Sequence, residues 1–158
     1  SFKYREESSE NNMNIFTKIT VLIAMSYSFS VVANPTIDLY KSPTCGCCSE
    51  WAEIMEDKGY EVVVHKQRDW SQVKREFGMP HQLQSCHTAV IEGYLIEGHV
   101  PESDISRLLS ERPDDISGIS APGMPQHSPG MAKKGDEYKD FDVVAFDKSG
   151  KMSLYNKY

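Results

Sequence analysis

The chain predicts an α/β fold (α+β) built on a central mixed sheet flanked by helices. Three observations predict it. Short β-branched or alternating apolar runs (residues 36–40, 61–65, 88–91 and 94–97) alternate with segments whose apolar residues recur at helical spacing. Glu92-Gly93 stands between two of those runs as hairpin punctuation. Gly, Pro and acidic residues mark element ends where such a fold needs them, at Gly59, Gly78, Pro101 and Pro113.

In chain order, residues 36–40 form a first strand, with Ile37 and Leu39 on one face and Tyr40 on the other. A cysteine-rich turn leads into a helix over 49–58. Trp51, Ile54 and Met55 lie on its apolar side, Glu50, Glu53, Glu56 and Asp57 on its solvated side, and Gly59 is the stop. The run 61–65 is apolar enough for an interior strand. Asp69 caps a second helix through Trp70, Val73 and Phe77, ended by Gly78. Met79-Pro80 opens a loop to Cys86-His87, and the 88–97 hairpin follows. Pro101, Glu102 and Asp104 start a helix that turns Ile105, Leu108 and Leu109 inward and stops by Pro113. Residues 117–131, rich in Gly, Pro, Ser and Met, read as an ordered or semi-ordered loop, and 133–140 as a polar linker. Runs at 141–146 and 152–155, joined by Asp147-Lys148-Ser149-Gly150, close the chain as a β-hairpin. The β-α-β-α-β-β-α order of the first seven elements matches a thioredoxin-like arrangement, with the loop and hairpin as a C-terminal extension. In that arrangement the first βα turn and the loop before the third strand lie at the same end.

At 158 residues there is room for one domain and a leader. The formal net charge is −6, with no basic stripe, which argues against a nucleic-acid partner. From Met13, a short n-region with Lys18 precedes an apolar run over 19–32 that is interrupted by serines and ends at Val31-Val32-Ala33. A spanning helix needs about 20 apolar residues, so this run reads as a secretory signal over 13–33, cleaved after Ala33, with no stable membrane insertion afterwards. Residues 1–12 read as an over-extended reading frame or added residues, and 34–158 as the functional domain.

Three of the four cysteines fall within four positions, in Ser42-Pro43-Thr44-Cys45-Gly46-Cys47-Cys48, and the fourth is Cys86, beside His87. A helix N-terminus favours thiolate over thiol. Export makes disulfides the ordinary use of cysteine, but adjacent cysteines bridge poorly, so only Cys45–Cys48 or one bridge to Cys86 is comfortable. Cys45 and Cys48 have Cys-x-x-Cys spacing, which serves either a redox dithiol or two soft metal ligands. In the redox reading Cys45 attacks and Cys48 resolves. Cys47 favours metal, because a third thiol invites scrambling of a redox pair but adds a thiolate to a Cu(I) site. Zinc and iron–sulfur rank below copper: structural zinc uses separated ligand pairs, and iron–sulfur does not suit an exported protein. The metal-ligand set read from the sequence is Cys45, Cys47, Cys48, Cys86 and His87, with Met124, His127 and Met131 as secondary candidates on the mobile-looking loop. The bland readings are a disulfide-stabilised adaptor, Cys86 as a small core hydrophobe and the methionines as filler. His99 reads as a residue at the start of a helix, His65 and His81 as surface, and Trp51 and Trp70 as core.

Tyr40 to Cys48, Ser85-Cys86-His87-Thr88-Ala89-Val90, the stretch Gly93 to Pro101, Pro122-Gly123-Met124-Pro125 and Ser128-Pro129-Gly130-Met131 together closely resemble the CopG-like periplasmic copper-resistance family. The resemblance runs from about residue 37 to 155. It implies a thioredoxin-like domain in the bacterial periplasm that holds one or more copper ions on the Cys-x-Cys-Cys and Cys-His motifs, with other periplasmic copper-handling proteins as partners. His127 stands where a small residue is expected.

Overall fold

A computed structural model of the protein describes residues 34–158; the expected signal and the residues before it lie outside the described residues. Seven strands form one mixed sheet in the order β2-β1-β3-β4-β5-β6-β7. They are β1 (Thr36–Lys41), β2 (Glu61–Lys66), β3 (His87–Ile91), β4 (Tyr94–Gly98), β5 (Gly118–Ala121), β6 (Asp142–Phe146) and β7 (Met152–Lys157). The helices are α1 (Gly46–Asp57), α2 (Ser71–Glu76) and α3 (Glu102–Glu111). The pairs β1–β2 and β4–β5 are parallel and the rest antiparallel. Among the described residues no helix is long and apolar enough to cross a membrane.

Alternation along the strands divides the apolar residues between two faces. Ile37, Leu39, Ile96, Ile119 and Val143 pack with Trp51 and Met55 of α1 and with Ile105 and Leu108 of α3. On the other face Leu95 and Phe146 pack with Leu83, Val73 and Phe77, beneath α2. The β3–β4 hairpin closes through Glu92 and Gly93, both at positive φ (46° and 88°), as a two-residue turn of the primed kind requires.

Three elements differ from the sequence reading. Residues 61–65 form an edge strand, not an interior one, with Val63 39% and Val64 40% exposed. An unbroken valine run gives no face preference, so it cannot distinguish an edge from a centre. The second helix is only Ser71–Glu76; Trp70 precedes it half-buried, and the Asp69 carboxylate accepts a hydrogen bond from the Ser71 N–H at 2.9 Å. The third difference lies within 117–131, where Gly118–Ala121 is a strand rather than loop. It joins the closing hairpin to the rest of the sheet through β4.

Gly-Ile-Ser-Ala is too short for periodicity, and its glycine is there for space. A Cβ at Gly118 would overlap the Leu95 carbonyl and the Phe146 ring. Gly118→Ala is therefore expected to lower stability by at least about 1–3 kcal/mol, as overpacking does, read as a lower urea midpoint. An unchanged midpoint would mean that β4 and β5 are not held this closely.

Candidate metal centre

The cysteine turn is positioned by β1 and α1. Cys45 is the N-cap of α1, in extended conformation and with no side-chain cap, so Cys47 and Cys48 fall in the first helical turn. Trp51, one turn on and fully buried, anchors the helix by donating its indole N–H to the Val100 carbonyl at 2.9 Å. Cys86 sits in a bend between the Ser85 bridge and the start of β3. That irregularity lets Cys86 and His87 face one centre although they are neighbours in sequence, which a regular strand forbids.

These elements bring all four cysteines together. Cys45 and Cys48 form a disulfide across a Cα–Cα distance of 5.4 Å, and Cys47 and Cys86 are free. The Cys47 sulfur lies 3.6 Å from that of Cys45, and the Cys86 sulfur 3.6 Å from that of Cys48. On its other side Cys86 Sγ is 3.6 Å from His87 Nδ1 and 3.0 Å from His99 Nε2. Two groups of donors thus converge on a shared Cys86: the four sulfurs, and Cys86 with His87 and His99.

Burial and bonding set the state of the imidazoles. His99 Nδ1 lies 2.7 Å from the Pro129 carbonyl, which can only accept, so Nδ1 carries the proton and Nε2 turns a lone pair toward Cys86. His87 is fully buried against Trp51, with ring centroids 4.8 Å apart, and its Nε2 has no hydrogen-bond partner among the described residues. Burial, and next His99, hold His87 well below the usual imidazole range. Burial also lowers His99. The Cys86 thiol is pushed up to about 11, first by burial and then by the neighbouring Cys47. Both imidazoles of the site are therefore held toward their neutral form.

That state has a pH signature. An imidazole whose folded pKa lies below its unfolded value stabilises the fold above about pH 6.5, and that stability is lost as pH falls below it. Both His87 and His99 contribute to that loss. Urea midpoints of the metal-free protein should fall from pH 7 to pH 5.5. A flat profile would contradict two buried neutral rings.

Of the residues singled out in the sequence, Cys45, Cys47, Cys48, Cys86 and His87 lie in the two groups. His127 does not; its Nδ1 lies 3.3 Å from the Asp140 carboxylate. Met124 is 57% exposed and Met131 half-buried. Their loop nevertheless borders the cluster. The Gly123 N–H donates to the Gln84 carbonyl at 3.0 Å, Pro129 holds His99, and Gly130 (φ +79°) lies against α1. A Cβ at Gly130 would come within 2.7 Å of the Cys47 carbonyl and 2.9 Å of the Trp51 nitrogen.

His99 is the residue the sequence reading missed: it is fully buried beside Cys86 and does not merely begin a helix. The signal was present. Counting outward from the two-residue turn pairs Thr88 with Glu97, and two steps further the same register faces Cys86 with His99.

A protein-family model described as "Protein of unknown function, DUF411" matches residues 83–131. No curated protein matches. Among solved structures, "Copper resistance protein copG- Form 2" is 40% identical with a TM-score of 0.71, covering 79% of this chain and 98% of that one. "Copper resistance protein copG- Form 1" is 41% identical with a TM-score of 0.70, covering 78% and 96%.

Proposed function

We propose, for a chain that belongs to the family of the copper resistance protein CopG, that it is a periplasmic copper-binding protein that takes Cu(I) as its cargo. The observation that carries this reading is Cys86, whose sulfur lies 3.6 Å from Cys48 and 3.0 Å from His99 and so links the thiol cluster to the imidazoles. Thiolate sulfur is the ligand Cu(I) selects, and imidazole suits copper in either oxidation state. The donor set therefore fits copper. Cys45, Cys47, Cys48 and Cys86 would supply thiolates, and His87 and His99 would supply neutral nitrogen. Two sets of donors sharing one sulfur have room for more than one ion. The loop from Met124 to Met131 borders the site and offers further soft ligands during loading. The secretory reading of residues 13–33 supports action outside the cytoplasm, where other copper-handling proteins would be its partners.

The bridge between Cys45 and Cys48 defines the condition for binding. Two-electron reduction, with uptake of two protons, frees those thiols. Anaerobic Cu(I) titration of the reduced protein against a competing chelator should show at least one tightly held Cu(I), and the oxidised protein should bind less. Weak binding by the reduced protein would overturn the reading.

The same disulfide favours a second reading, a thiol oxidoreductase in which Cys45 attacks and Cys48 resolves. Cys47→Ser separates the two. It should lower copper stoichiometry and spare insulin reduction by a Cys45–Cys48 dithiol. Equal loss of insulin reduction in Cys47→Ser and Cys45→Ser would contradict that division of labour.

A further inference from the structure

We infer that Glu97 is the positioning residue of the site, a buried carboxylate that grips the chain on both sides of Cys86-His87 and holds their bend in place; the copper part of this inference rests on the function proposed above. Glu97 lies on β4, opposite Thr88, and is fully buried. Its Oε1 accepts the Ser85 backbone N–H at 2.7 Å, one residue before Cys86. Its Oε2 accepts the Thr88 hydroxyl at 2.6 Å, one residue after His87. Lys74 of α2 completes the group, its ammonium 2.8 Å from Oε1.

The direction of each hydrogen bond is fixed. The Trp70 indole N–H, a donor only, lies 2.9 Å from Thr88 Oγ1, so the Thr88 hydroxyl accepts from Trp70 and gives its own proton to Glu97. The Ser85 N–H and the Lys74 ammonium are donors only as well. Every partner of Glu97 therefore donates, and an ionised carboxylate, which only accepts, answers all of them. Burial works against that charge, and Lys74 leads the groups that offset it. A fully buried carboxylate is a costly means of pinning an ordinary strand end. Here it spans the four residues that carry the shared thiol, and none of its contacts serves the sheet ladder except the Thr88 pair.

An amide cannot replace it. In Glu97→Gln one oxygen becomes an NH2 group and meets a donor on whichever side it turns. Holding groups of this kind behind metal ligands are worth on the order of 10–100-fold in affinity. Glu97→Gln is therefore expected to weaken Cu(I) binding by at least about tenfold, and Thr88→Val, which removes one arm with little change of size, to weaken it less.

The experiment is a double-mutant cycle on the full chain, reduced and anaerobic, with Cu(I) against a competing chelator. Glu97→Gln and Thr88→Val are each measured alone and in a Cys86→Ser background. Positioning of Cys86 predicts that the loss disappears in the Cys86→Ser background. An equal loss in both backgrounds, or a lower urea midpoint with no loss of affinity, would show Glu97 to be part of the scaffold only. If the unsubstituted protein holds no Cu(I) tightly, the proposed function fails on its own. The inference is then read from iodoacetamide alkylation of the metal-free reduced protein, resolved by mass spectrometry. Faster alkylation of Cys86 with Cys47 unchanged upholds it, and unchanged rates at both thiols overturn it.

Discussion

Cys86→Ser is expected to weaken Cu(I) binding on the order of a hundredfold or more and to lower the number of ions held. A first-contact ligand should cost no less than the groups behind it, which are themselves worth on the order of 10–100-fold. Among the described residues, Cys86 is the one sulfur within reach of both the helix-borne cysteines and the imidazoles, so its loss divides the donors instead of subtracting one. Serine offers a hard hydroxyl that Cu(I) does not select. The fold should tolerate the change, because a serine hydroxyl can still donate to His99 Nε2 and Cys86 is only half-buried. A urea midpoint near that of the unsubstituted protein would confirm that the loss is one of chemistry. Retention of full copper stoichiometry and affinity in Cys86→Ser would mean that the two motifs do not form one site.

Trp51→Ala should be the most damaging substitution to the fold, at about 3–5 kcal/mol. Trp51 is fully buried and is among the largest core side chains. It joins α1 to the segment after β4 through the Val100 carbonyl, and its ring packs on His87. Removing it leaves a cavity and an unpaired buried carbonyl, and it frees the imidazole at the site's base. Trp51→Phe restores most of the volume but not the indole N–H, and should cost about 1–3 kcal/mol, the cost of one unsatisfied buried acceptor. Thermal or urea unfolding of the reduced metal-free protein measures both. If Trp51→Phe matched the unsubstituted protein while Trp51→Ala did not, Trp51 would act by packing alone. Two stable variants would remove it as the anchor of the cysteine turn.

How far the site could be read from sequence follows from how local each signal is. Cys45, Cys47 and Cys48 share one turn, and their crowding is a chemical statement wherever the chain goes. Cys86-His87 carries its own signal as a thiol beside an imidazole at the start of a strand. The α1 and α3 helices and the β3–β4 hairpin were legible because periodicity, Gly59, Pro101 and Glu92-Gly93 act over a few residues. His99 was hidden because its role depends on a cross-strand register that must be counted, and Glu97 because its partners come from three segments. The strand Gly118–Ala121 was hidden for a different reason. Four residues with a single large apolar side chain, Ile119, carry no period, and only the slot between β4 and β6 makes them a strand. The edge position of β2 is likewise a property of the assembled sheet.

The sequence by itself determined the α/β class, most element positions, the thiol cluster and the soft-metal chemistry it favours. Those follow from side-chain type and short-range spacing, which are fixed before the chain folds. The tertiary structure decided which donors share a centre, that Cys86 is the sulfur between two donor sets, that His99 presents Nε2 and not Nδ1, and which buried carboxylate holds the bend. Each of these depends on a hydrogen bond or a register between residues far apart in the chain, and such a partner exists only once the sheet has closed.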